Sequence, residues 1–148
     1  MELDQTDKKI VAVLNDNSRL SYREIAKRVG VSVATALHRV KRLEESGAIR
    51  KYTLSVDYEK IGYEVGVVVH VRVSKGRLMD VEKKIAADPH VVALYDITGA
   101  FDALVIAHFK NRRTLDAFLK KIQTFDFVER TETVLILNEM KSENVRLG

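Results

Sequence analysis

In the stretch "AKRVGVSVATALHRV" only three residues, Gly30-Val31-Ser32, are available to end one helix and begin the next. Glycine takes the left-handed conformation that terminates a helix at low steric cost. A serine just ahead of an apolar helical pattern accepts a hydrogen bond from the unpaired amides of its first turn. A connection this short holds the two helices at a steep angle, and it limits the possible folds more than any other stretch of the chain. Upstream, "SYREIAKRVG" opens with a Ser21–Glu24 capping box and carries Ile25, Ala26 and Val29 as a buried stripe. Asp4 caps an earlier helix, with Asp7 in its first turn and Ile10, Val11 and Leu14 on one face, until "NDNSRLS" breaks it. The third helix runs from Ser32 to about Ser46, where Gly47 closes it. Three short helices, the last two joined by a tight turn, form a helix-turn-helix pattern.

After Ile49 the apolar period changes from helical to alternating. "IRKYTLSVDY" reads as a strand or wing leaving the helical part, and "EKIGYE" as a hinge around Gly62. "VGVVVHVRVS" is a strand, and "RLMDVEKKIAAD" is a helix with Leu78, Val81, Ile85 and Ala86 on one face, stopped by Pro89. "VVALYDIT" and "ALVIAHF" are strands around the turn "GAFD". "TLDAFLKKIQ" is a helix with Leu115, Phe118, Leu119 and Ile122 at helical spacing, and "ERTETVLILNEM" is a final strand. The fold class is therefore α+β: a winged helix-turn-helix, then a βαββαβ ferredoxin-like sandwich with both helices on one sheet face. The expected boundaries are residues 1–50, a linker strand and hinge at 51–63, and a second domain at 64–148. With helices on one face, strand positions on the other should be polar. Yet Val67 to Val69, Leu104 to Ile106 and Val134 to Leu137 are uninterrupted apolar runs. Both faces call for burial, which predicts that a second copy covers the open one.

Charge points to what the helical part meets. The chain of 148 residues carries a net +4, but Asn17 to Lys51 holds nine Lys and Arg against three Glu, so the remainder is slightly acidic. On the third helix, Val33, Ala36, Leu37, Val40 and Leu43 are expected inward. That leaves Thr35, His38, Arg39 and Arg42 outward, Ala34 at the exposed first turn and Lys41 to the flank. Small residues first and basic residues toward the middle suit a helix whose N-terminal end approaches base edges in the major groove of duplex DNA. Ser21 and Tyr22, at the start of the preceding helix, and Ser32 are placed to meet phosphates. A plain solvated helix face is disfavoured once the caps, the Gly30 turn and the local charge are combined.

Other chemistries are poorly supported. Cysteine is absent, which removes disulfides, thiolate metal sites and cysteine nucleophiles. His38, His70, His90 and His108 are scattered without metal-ligand spacing, and phosphate-binding or nucleophile-elbow motifs are missing. Asp96 and Asp102 read as turn formers rather than an acid–base pair. The expectation is a non-enzyme without metal or cofactor. A composition of 46% hydrophobic and 31% charged residues, with no long apolar run and no signal-like N-terminus, predicts a soluble, cytoplasmic protein. In "TGAFD", Gly99 permits a positive φ and leaves amides open, while Asp102 adds a carboxylate. A simple hairpin accounts for the turn, and a site for a zwitterion such as an amino acid is the sharper alternative.

Taken in order, "LDQTDKKIVAVLNDNSRLSYREIAKRVGVS", "RVKRLEESGAIRKYTLSVDYEKIGY" and "DITGAFDALV" resemble the Lrp/AsnC, or feast/famine, family of transcription regulators over nearly the whole chain. The resemblance implies a C-terminal RAM domain that pairs copies through their sheets, with the dimers assembling into octamers or similar discs. It implies an amino-acid effector bound between dimers. On this chain the effector turn maps to Gly99, Ala100, Phe101 and Asp102, with Thr131 and Thr133 added from the last strand. Two-fold symmetry predicts pseudo-palindromic DNA sites. A regulator that coats DNA architecturally, without an effector, is the alternative. Ser32-Val33 stands where many members have Ser-Pro, and many have Arg at or beside His38, so the resemblance assigns no base preference.

Overall fold

Asp4, in extended backbone at φ −80° and ψ 179°, accepts a hydrogen bond from the Asp7 amide, and the Asp7 carboxylate accepts one from the Asp4 amide. This reciprocal cap starts α1 (Gln5–Asp16). Ser21 caps α2 (Tyr22–Val29) by accepting from the Glu24 amide, without the return bond of a full capping box. Gly30 ends α2 in the left-handed conformation, φ 82° and ψ 39°. Ser32 then caps α3 (Val33–Glu45) by accepting from the Thr35 amide. Ile10, Leu14, Ile25, Ala26, Ala36, Val40 and Leu43 form the shared core of the three helices. Val33, expected inward, is 47% exposed. It lies in the first turn of α3, before the helix reaches its neighbours. The expected strand after Ile49 is also missing: residues 50–57 contain no strand.

The computed structural model describes residues 1–147. It divides into two units, Met1–Ser55 together with the residues from Lys141 onward, and Val56–Met140. The second unit holds β1 (Val65–Val73), α4 (Leu78–Ala86), β2 (Val91–Asp96), β3 (Ala103–Phe109), α5 (Arg112–Gln123) and β4 (Val128–Ile136). The strands pair antiparallel in the order β2-β3-β1-β4, so the first and third strands in sequence are central.

Alternation decides the faces. Val67, Val69, Val71 and Val73 of β1 and Ala103, Val105, Ala107 and Phe109 of β3 are buried against Val81 and Ile85 of α4 and Phe118 and Ile122 of α5. Register places Val68, Ile106 and Val134 side by side on the opposite face, next to the row of His70, Leu104 and Glu132. Val68, Leu104 and Ile106 are only half-buried, and Val134 is exposed. The βαββαβ order, the single helix-covered face and the apolar open face are those expected from the strand and helix patterns. No helix among the described residues is long and apolar enough to cross a membrane.

Candidate nucleic-acid interface and effector turn

The first turn of α3 is held firmly. The Ser32 hydroxyl accepts from the Thr35 amide at 3.1 Å and donates to the Thr35 hydroxyl at 2.9 Å. Ala36, Val40 and Leu43 point into the core. At about 100° per residue, Ala34, His38, Lys41 and Glu45 fall within an arc of about 60° on the opposite side. All four are exposed. Thr35, Arg39 and Arg42 lie on one flank and are half-buried. This corrects the expected face: Lys41, assigned to the flank, stands with His38 on the outward ridge, whereas Arg39 and Arg42 do not. Ser21 and Tyr22, at the start of α2, are exposed as expected.

The flank of α3 faces α1. Arg39 pairs with Asp4 and, at 3.2 Å, with Asp7; Arg42 pairs with Asp7 at 2.7 Å. Asp7 is fully buried, and both its oxygens are engaged by guanidinium groups. The Asp7 amide, then the Arg39 guanidinium, holds the Asp4 carboxyl below its usual range. Hydrogen bonds to Asp4 and then Asp7 push Arg39 up. These pairs join residues 32 to 35 positions apart in the chain. No local pattern announces such a contact. The Arg42 Nε is buried without a hydrogen-bond partner among the described residues.

The second candidate lies between β2 and β3. Gly99 adopts φ 108°, a conformation that suits glycine. Asp102 closes the turn: its amide donates to the Val71 carbonyl at 2.9 Å, and its carbonyl accepts from the Ile97 amide at 3.0 Å. One Asp102 carboxylate oxygen accepts from the Val73 amide at 2.7 Å. Gly99 and Ala100 are exposed, and among the described residues their amides and that of Phe101 donate no hydrogen bond. The Phe101 ring lies 5.5 Å from the His70 ring and 5.6 Å from the Arg130 guanidinium.

Thr131 and Thr133 pair with Val71 and Val69, so they occupy the helix-covered side of the sheet. Thr131, Val71 and Ala103 form one row, which places Thr131 at the same end of the sheet as the turn. Phe101, by contrast, meets His70 of the open face. The expected groups thus share an end of the sheet but not a face, and His70 and Arg130 join Phe101 without having been foreseen. His70 Nδ1 is buried with no partner among the described residues. Its position in β1 between a valine at every second residue was the available signal. Two surface concavities, of about 530 Å³ along α5 and about 410 Å³ between Leu14, Tyr22, Val40 and Tyr52, lie elsewhere. No group of three or more His, Asp and Glu among the described residues is arranged to hold a metal ion.

Comparison with known proteins covers both units. Residues 3–50 match the family model for a winged helix-turn-helix DNA-binding domain, and residues 66–145 match that for the Lrp/AsnC ligand binding domain. An uncharacterized HTH-type transcriptional regulator of Pyrococcus abyssi is 43% identical over 95% of this chain and 96% of its own. The structure of a transcriptional regulator from Neisseria meningitidis in complex with L-Met superposes with a TM-score of 0.87 at 28% identity, covering 96% of this chain and 94% of that one. E. coli AsnC superposes with a TM-score of 0.88 at 26% identity, covering 99% of both chains.

Proposed function

The chain belongs to the Lrp/AsnC family of helix-turn-helix transcription regulators, and from that premise we propose that it binds pseudo-palindromic DNA as a symmetric oligomer tuned by an amino acid. The observation that carries this reading is α3. A doubly capped helix presents a small residue, an imidazole and an ammonium outward, inside the most basic segment of the chain. The N-terminal half of such a helix fits the major groove, and the exposed Ser21 and Tyr22 flank it at the height of the phosphates. Two copies of this motif, related by two-fold symmetry, read half-sites about one helical turn or a multiple apart.

The oligomer supplies the regulation. Copies pair over the open sheet face through Val68, Leu104, Ile106, Val134 and Ile136, and the dimers assemble further into an octamer or similar ring. The effector binds where the Gly99–Asp102 turn meets a neighbouring dimer. Open amides and the Arg130 guanidinium suit a carboxylate, and the remaining Asp102 oxygen suits an ammonium. The L-Met complex of the Neisseria relative supports an amino acid in this role. The protein works without catalysis, in the cytoplasm and on the nucleoid.

Binding is tested by footprinting the full-length protein on genomic DNA at one salt concentration, with and without each amino acid. The expected result is discrete protected sites with two-fold symmetry, whose occupancy one amino acid shifts. Uniform protection without sites would make the protein an architectural DNA coat instead. Affinity should fall steeply with added salt, as phosphate contacts release counterions.

A further inference from the structure

The two arginines that carry most of the formal charge on the flank of α3 are committed elsewhere. Asp7 has no exposed surface. A carboxylate in that position needs partners, because an unmatched buried charge is among the most destabilising features a fold can hold. Arg39 and Arg42 are those partners, and Arg39 also closes on the Asp4 cap of α1. Both guanidinium groups therefore act as a brace between α1 and α3, the helix pair that sets how α3 stands out from the unit.

What remains outward is a single ridge of Ala34, His38, Lys41 and Glu45. From Ala34 to Lys41 the ridge rises about 10 Å along the helix axis, which spans about three base-pair steps of duplex. The ridge then turns acidic, with Glu44 and Glu45 exposed at the end of α3. Two carboxylates repel phosphates, so the duplex meets α3 only up to Lys41. Within that reach the chemistry is selective. The Ala34 methyl suits contact with a thymine methyl, the Lys41 ammonium donates to guanine O6 and N7, and the His38 imidazole offers one donor and one acceptor.

We infer that Ala34, His38 and Lys41 read the bases, while Arg39 and Arg42 are positioning residues that lock α3 to α1 through Asp7. The inference rests on the major-groove reading of α3 and divides its residues into two roles. A residue that reads a base and one that braces the helix differ in one measurable respect. Losing the first changes which sequence is preferred, and losing the second weakens all sequences alike.

The test is selection of binding sites from a randomised duplex pool at one salt concentration. It uses the full-length wild type, His38→Ala, Lys41→Ala, Arg39→Lys, Arg42→Lys and Asp7→Asn, with a thermal midpoint for each. His38→Ala and Lys41→Ala should keep the wild-type midpoint and lose about ten-fold in preference at one or two base positions. The other three should lower the midpoint, retain the selected sequence, and weaken specific and random duplexes by the same factor. An altered base preference with an unchanged midpoint in Arg39→Lys or Arg42→Lys would overturn the division, as would an unaltered preference in both His38→Ala and Lys41→Ala. The two exposed-ridge variants decide the matter even if a brace variant does not fold. A wild type that enriches no sequence at all overturns the reading of α3 itself, and this inference with it.

Discussion

Glu82 on α4 shows how burial beside a like charge sets the pH response of a single residue. Burial, followed by the nearby Asp96 carboxyl group, pushes the Glu82 carboxyl up to about 7 from an ordinary 4.5. Because the folded value exceeds the unfolded one, the stability this group contributes is present below the unfolded value and is lost as pH rises through about 7. Replacing Glu82 by Gln should therefore raise stability by about 1 kcal/mol at pH 8 and leave it nearly unchanged at pH 4. Thermal midpoints of both proteins at the two pH values check this, and equal shifts at both would refute it. His108 behaves in the opposite sense. Burial holds its pKa down, with its ring stacked 3.7 Å from that of Tyr58. Its contribution is lost as pH falls from the ordinary value of 6.5 through the folded one. Neither environment was legible in the sequence. Glu82 and Asp96 lie on different elements, and only the packing of α4 on β2 brings them together.

At the scale of elements, caps carried much of what could be read in advance. Asp4, Ser21, Gly30 and Ser32 each stand where the pattern placed them, because a cap is a contact between residues three or four positions apart. Ser32→Ala should destabilise the helical unit by about 1 kcal/mol, since the amide of Thr35 loses its acceptor. Denaturant titration measures the loss, and hydrogen exchange should localise it to the first turn of α3. A stability unchanged within error would mean that water replaces the hydroxyl without cost. Strands were less legible. β4 ends at Ile136, although the apolar pattern continues to Leu137, and residues 50–57 do not form the expected strand. A strand is a property of a pair, and its ends depend on where a neighbour offers hydrogen bonds.

For the whole molecule, the open sheet face raises the main question. Val134 is 47% exposed beside the half-buried Val68 and Ile106, so a charged residue there costs a lone chain little. In a dimer closed over this face the same charge would be buried without a partner. Val134→Glu should therefore weaken dimerisation by roughly hundredfold while leaving the fold intact, as read by sedimentation and circular dichroism. An unchanged sedimentation coefficient would refute the proposed pairing of copies over this face.

Patterns of period, caps and local charge determined the two-part architecture, the helix-turn-helix and the βαββαβ order, because each of these depends on residues within a turn or two of one another. They also placed the turn between β2 and β3 and the capped start of α3. Tertiary structure alone decided which basic residues of α3 are free. Arg39 and Arg42 looked equivalent to His38 in "ALHRVKRLEE", but the buried carboxylate that engages them belongs to another helix. It decided the faces around the Gly99–Asp102 turn in the same way, through packing that joins Phe101 to His70 on one face and strand register that puts Thr131 on the other. Local sequence specifies which way a residue points within its own element. What waits there to meet it is set by chain far away.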